Sequence, residues 1–354
     1  MLFSCAPFAM LPLAAEQSGG GGDRRSRVID IHCHRECAAV RETVQAESER
    51  LGRLPLMFGS DLTREVNQRQ LATIRPKMQS IAQRLADMDR MGVDIQAMSV
   101  APYQMSYWAE PDVGRTVART INDDLAEVAA GTPDRFVPLG TVPLQDTTAA
   151  VEELQRCVDD LGFKGLEIAT HVEGEELSSP RLRPFWAKVE ERDIAVFIHP
   201  VGHTHPERLN HHYLLNIVGH PLESTLAVSN LIFGGVLEDH PELKIVVAHG
   251  GGYLAAYPAR MDHAYRARED VRDGVPLPPG EYLRRLHFDT MVFEPDQLRF
   301  LIDRYGAEHV LLGTDYPYDM GEDDPVGLVE RAKLDDSQRD LICGGNAARL
   351  LGLT

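Results

Sequence analysis

A chain of 354 residues, 43% of them hydrophobic and 25% charged, is long enough to bury a substantial core and has the composition of a folded enzyme, not of a disordered or fibrous chain. Its formal charge of -18, with no run of lysine or arginine, excludes a phosphate-backbone reader, and no nucleic-acid partner is expected. Five scattered cysteines without CxxC spacing (Cys5, Cys33, Cys37, Cys157 and Cys343) exclude a disulfide framework and point to the cytoplasm.

The N-terminal MLFSCAPFAMLPLAAEQ is apolar and ends in small residues, as a signal peptide does, but it has no basic leading region. It also falls short of the ~20 residues that a membrane helix needs, so no membrane partner is expected. The SGGGGDRRSR that follows reads as a flexible joint. The expected organisation is therefore an extension over residues 1–26 and one folded domain over residues 27–354.

Beyond the joint, short β-branched apolar runs alternate with longer segments of helical period. The strand candidates are residues 27–34, 95–100, 136–143, 163–170, 195–200, 244–250, 286–290 and 309–317. Between them lie segments such as DTTAAVEELQRCVDDLG, where Asp146 or Thr147 can cap the N-terminus and Gly162 closes the end. Eight strands separated by helices predict an α/β fold, a (β/α)8 TIM barrel. An open doubly wound sheet would read similarly, but no GxGxxG follows the first strand. Residues 36–80 interrupt the alternation, and an insertion of that length after the first strand is expected to be a lid over the site.

In VIDIHCH, period-two alternation would turn Asp30, His32 and His34 one way and Ile29, Ile31 and Cys33 the other. Two imidazoles at i and i+2 on one strand end can share a divalent ion. Three further strand ends carry chemistry: His199 closes AVFIHP, His249 closes KIVVAHG, and Asp315 ends the apolar part of HVLLGTDYP. In barrels, functional residues gather at the C-terminal ends of strands. His32, His34, His199 and Asp315 thus form a metal-ligand set, suited to zinc and open to cobalt, iron or manganese. An ion there would lower the pKa of a bound water toward ~7. His249 is either a fifth ligand or the base that takes the proton; with four ligands already present the base is favoured. A two-ion site of the kind bridged by a modified lysine at the end of the fourth strand is not expected, because Lys164 stands at that strand's beginning. His171, at its end, is either a substrate contact or a packing residue.

The stretches SYWAEP, RFVPLGTVPLQ, LGFKGLEIATHV, GHPLESTLAVSNLIFGGVLEDHPELKIVVAHGGG and VLLGTDYPYDMGE, in this order with DIHCH and FIHP, resemble the amidohydrolase superfamily. More narrowly they resemble its zinc-dependent branch of 2-amino-3-carboxymuconate 6-semialdehyde decarboxylases. The resemblance implies metal ligation by His32, His34, His199 and Asp315, water activation by His249, and a proton relay through Asp315. It implies a small carboxylate substrate, no organic cofactor, and a homodimer in which Arg260 crosses to the neighbouring site. The implied reaction is non-oxidative decarboxylation of an unsaturated or aromatic acid, with hydrolysis or hydration of a related ring-cleavage acid or lactone as the alternative. The branch has a second substrate-binding arginine in the lid, for which Arg69 and Arg75 are candidates, neither in register. HPVG stands where HPWD is common, and Tyr318 replaces a phenylalanine. These departures fall on the substrate side.

Overall fold

The computed structural model describes residues 26–52, 59–203 and 206–353. Residues 1–25 of the expected extension lie outside the described residues.

All eight expected strands form: β1 Ile29–Arg35, β2 Ile95–Val100, β3 Phe136–Gly140, β4 Gly165–Ala169, β5 Ala195–His199, β6 Lys244–Val247, β7 His287–Asp289 and β8 Val310–Leu311. They pair in sequence order and all in parallel. The circle is completed where Ile31 N–H donates to Leu312 O at 2.9 Å and His34 N–H to Tyr316 O at 2.8 Å. This is the (β/α)8 barrel. A two-stranded hairpin, His171–Val172 with Glu175–Glu176, decorates the loop after β4.

The helices begin and end as their residues dictate. Asp146 accepts from Ala149 N–H at the start of the helix Thr147–Asp159, and Gly162 (φ 70°) lies beyond its end. The helix Pro295–Tyr305 is followed by Gly306 at φ 94°. Outward strand residues such as Ile168, Ile198 and Val247 share one apolar cluster with the helices, whereas Leu139, Phe197, Val246 and Leu311 fill the barrel interior. Ala347 and Leu350 of the C-terminal helix join that inner cluster.

The first strand does not alternate simply. Its pairing with β2 shifts between Asp30 and Cys33, a bulge that puts Ile31 in the inner cluster while His32 contacts the inward Phe197 at 4.9 Å between ring centres. Cys33 packs outward as expected, but Asp30 is not on the histidines' side. It accepts from Gln96 Nε2 at 3.0 Å, Thr314 Oγ1 at 2.6 Å and Thr314 N–H at 3.1 Å. Gln96 Oε1 in turn accepts from Arg84, a fully buried residue of the helix Ile81–Met91 that also donates to His34 O. Arg84 thus ties a helix to the backbone of the histidine-bearing strand.

Removing Arg84 strands buried acceptors with no water to replace it. Arg84→Met is expected to destabilise the protein by about 3 kcal/mol, seen as a lower urea midpoint. An unchanged midpoint would show that the network adds nothing to stability.

Candidate active site

The mouth of the barrel holds His32 and His34 from β1, His199 from the end of β5, and His249 and Asp315 from just beyond β6 and β8. β6 and β8 end at Val247 and Leu311, short of their expected ends, and beyond them His249 (φ 57°) and Asp315 (φ 52°) have left-handed backbones that turn the chain out of the ladder. Those turns aim both side chains inward. One ligand atom each from His32, His199, His249 and Asp315 lies within 4.8 Å of the others. His34 Nε2 adds to this group, 3.0 Å from His32 Nε2 and 3.2 Å from Asp315 Oδ1. All five side chains chosen from strand ends are therefore brought together.

The chemistry of the donor set fits a divalent ion. His32 Nδ1–H donates to Asp289 Oδ2 at 2.6 Å, His199 Nδ1–H to Pro200 O at 3.0 Å, and His34 Nδ1–H to Val100 O at 3.3 Å. Each of these rings has its Nδ1 occupied, which leaves Nε2 as the coordinating nitrogen. His199 Nε2 and Asp315 Oδ1 are buried without a hydrogen-bond partner, an arrangement that costs free energy unless a cation fills it. His249 differs: its Nδ1 is buried with no partner, and its Nε2 lies 3.6 Å from Asp315 Oδ2.

Burial alone would push His32 down, but the carboxylates of Asp315 and Asp289 lift it to about 10. Burial would raise Asp315, yet His32, His249 and His34 beside it hold it well below the usual carboxylate range. His34, where burial dominates, is lowered to about 4, and His199 well below its ordinary value.

Two buried carboxylates were not singled out from the sequence. Asp289, at the end of β7, orients His32 and also accepts from His249 N–H at 2.9 Å and Gly250 N–H at 2.7 Å. An acid closing LHFDT was the signal for it. Glu167 stands inside the barrel on β4, 3.8 Å from His34 Nδ1, and burial raises it to about 8. Its signal was a lone acid within an apolar strand.

Above the cluster opens a cavity of about 260 Å³, lined by His199 and Asp315 at its floor. The helix Asp61–Gln79 contributes Thr63, Asn67, Gln70 and Leu71 to its wall, so part of the 36–80 segment does border the site. Tyr318 also lines the cavity, its ring 5.4 Å from that of His34. His171 sits behind the wall, where its ring would touch a Cβ placed on Gly202. Among the described residues no lysine or arginine lines the cavity. Arg69 is exposed beside Glu65 at 3.7 Å, Arg75 pairs with Glu36 at 3.3 Å, and Arg260 is exposed on the helix Pro258–Ala267. None of the three reaches the site of its own chain. The histidines His203 and His220, which do line the cavity, went unnoticed in the sequence.

A parallel eight-stranded barrel with histidines and aspartate at its strand ends defines a metal-dependent barrel enzyme. The chain matches the amidohydrolase family over residues 22–353 and belongs to it. It is similar to 2-amino-3-carboxymuconate-6-semialdehyde decarboxylase from Dictyostelium discoideum, with 38% identity over 76% of each chain. It is also similar in structure to 5-carboxyvanillate decarboxylase from Sphingomonas paucimobilis, with a TM-score of 0.82, 26% identity, and coverage of 93% of this chain and 99% of that one. The 5-carboxyvanillate decarboxylase of Novosphingobium aromaticivorans, solved with manganese and 4-hydroxy-3-methoxy-5-nitrobenzoic acid, shares the fold at a TM-score of 0.81 and 23% identity, with coverage of 94% and 98%.

The raised His32 pKa gives a pH prediction with a definite sign. Without metal, the His32 pairing is complete below 6.5 and is lost as pH rises through about 10. At pH 7 the ring is protonated, and an ion can take Nε2 only as that proton leaves. Metal uptake at pH 7, followed by calorimetry in buffers of different ionisation heat, is expected to release about one proton. Release of none would mean that His32 is already neutral.

Proposed function

We propose that the protein is a metal-dependent, non-oxidative decarboxylase of a small unsaturated or aromatic carboxylic acid. The first candidate substrate is 2-amino-3-carboxymuconate 6-semialdehyde, followed by aromatic acids of the carboxyvanillate kind. The observation that carries this reading is the convergence of four histidines and Asp315 under one cavity. The likeness to decarboxylases supplies the reaction class.

His32, His34, His199 and Asp315 would hold the ion, zinc or manganese by the chemistry of the set. Such an ion supplies positive charge that stabilises the anionic electron density left when a carboxylate departs. The reaction exchanges carbon dioxide for a proton: the carbon–carbon bond breaks, and its electron pair takes the proton at the same carbon. Nothing is oxidised, so no organic cofactor is required. His249, whose Nε2 faces Asp315 and whose Nδ1 is unoccupied, is placed to take up and deliver that proton. Tyr103, Tyr213 and Tyr318 offer flat walls to a conjugated acid, while Asn67, Gln70 and Asn216 offer amides to its substituents. The helix Asp61–Gln79, acting as the lid, would keep water away.

An anionic substrate also calls for a cation, and Arg260 is the proposed source, reaching the cavity of a second copy in a homodimer. Its exposure, beside the exposed Tyr257 and Tyr253, supports this. Among the described residues no helix is long and apolar enough to cross a membrane, and Cys33, Cys37 and Cys157 are buried thiols. We place the protein in the cytoplasm.

The deciding experiment measures carbon dioxide release from freshly generated 2-amino-3-carboxymuconate 6-semialdehyde, and in parallel from 5-carboxyvanillate, by metal-loaded protein. Release is expected to require metal, and His249→Ala is expected to retain the ion while losing about 10²- to 10⁴-fold in turnover. No release from either acid by a metal-loaded protein would turn the search to lactone hydrolysis. The dimer is tested by mixing: Arg260→Ala and His249→Ala should each be inactive, and a mixture should regain activity because one site of the mixed dimer is intact. Activity that stays lost in a mixture shown to exchange subunits would confine Arg260 to its own chain.

A further inference from the structure

Three of the four mouth imidazoles are held by a hydrogen bond at Nδ1, and His249 is not. Its backbone is anchored, with the N–H groups of His249 and Gly250 on Asp289, but that anchor leaves the rotation of the ring open. Something else must hold its ring. His32 and His199 meet it edge to face, at 5.1 Å and angles of 62° and 67°. His220 lies against its face, at 5.9 Å between centroids and 17° between planes. On His220 rests His203, at 5.2 Å and 9°.

We propose that His220 is the positioning residue for His249, holding the plane of its ring by stacking while leaving both of its nitrogens free to carry the proton. This rests on the reading of His249 as the group that moves the proton. A hydrogen bond at Nδ1 would lock one tautomer, as it does in the three rings that ligate. Stacking limits tilt without choosing a tautomer, so a proton taken at one nitrogen can leave from the other.

The fold provides for this contact. His220 begins the helix His220–Phe233, and its Nδ1 lies 3.3 Å from the Asn216 amide nitrogen one turn earlier, which fixes its own ring. The loop carrying His249 approaches that helix so closely that a Cβ on Gly252 would stand 2.3 Å from Pro221 O. Tyr253 N–H donates to Thr225 Oγ1 at 3.0 Å, and its hydroxyl donates to Val218 O at 3.3 Å, which latches loop to helix. Burial, with His249 and His203 nearby, lowers His220 to about 3, so it offers a neutral ring face.

The test compares His220→Ala, which removes the face, with His220→Phe, which keeps an aromatic face and has no ring nitrogen. Both are assayed as metal-loaded enzyme on 2-amino-3-carboxymuconate 6-semialdehyde, or on 5-carboxyvanillate if that is the acid the wild type turns over. His220→Ala is expected to lose about tenfold or more in kcat with KM little changed and metal content intact. His220→Phe should recover most of that loss. In a His249→Ala background, His220→Ala should have no further effect. Wild-type kcat in His220→Ala, equal impairment of Ala and Phe, or a change confined to KM would each overturn the inference. Full turnover by His249→Ala alone would overturn the base assignment and this inference together, and is read first.

Discussion

The carboxylate of Asp289 is the contact on which the geometry of the site depends. Fully buried, it accepts from the His32 ring and from the backbone N–H groups of His249, Gly250 and Met291. One side chain thereby joins β1, the turn after β6, and β7. A buried carboxylate is tolerable only when its lone pairs are filled, so the three segments cannot separate without exposing it to an apolar interior. The same pressure that keeps the barrel closed keeps a ligand and the proposed base in register.

That interior also decides which groups are charged. His32, His34 and His199 are buried, and each of these imidazoles responds to its nearest partners. His32, between two carboxylates, is driven up, whereas His34 is driven down by burial and by His32, and His199 by burial and by the three imidazoles around it. The result is a site with strong demand for one compact positive charge. A proton on His32 meets it in the metal-free protein, and a divalent ion meets it better because it also satisfies His199 Nε2 and Asp315 Oδ1. Ordinary side-chain packing offers nothing that would do so.

Much of this was legible in the sequence because it follows from two periods. Alternating strand and helix patterns, each with its own caps, set out the barrel; histidines and an aspartate at four strand ends set out the cluster. What was not legible depends on irregularity or on distance along the chain. The bulge in β1 turns Asp30 outward against a plain alternation, and nothing local announces it. His220 enters from the start of a helix that directly follows the wide helical turn Leu215–Gly219, so no strand pattern could place it. Arg69 and Arg75 have the right charge for an anion but lie on exposed positions of the helix Asp61–Gln79, paired with Glu65 and Glu36 and outside the lining of the cavity that its Thr63 and Asn67 border. Charge can be read from a sequence more easily than the face of a helix that carries it.

The distribution of charge links metal, substrate and assembly on the proposed reading. A chain of formal charge -18 repels an anionic acid at long range, and the wall of its cavity is built from neutral amides, phenols and imidazoles. The attraction needed to bind a carboxylate must then come from the ion at the floor and from an arginine brought by a second copy. Each is a short-range interaction in a desolvated space, where a single positive charge counts for more than many on the surface. Such a site is weak toward its substrate until both are in place. Binding is thereby tied to the assembled, metal-loaded state, in which the departing carboxylate leaves its electron pair next to stabilising charge and the proton on His249 is close to hand.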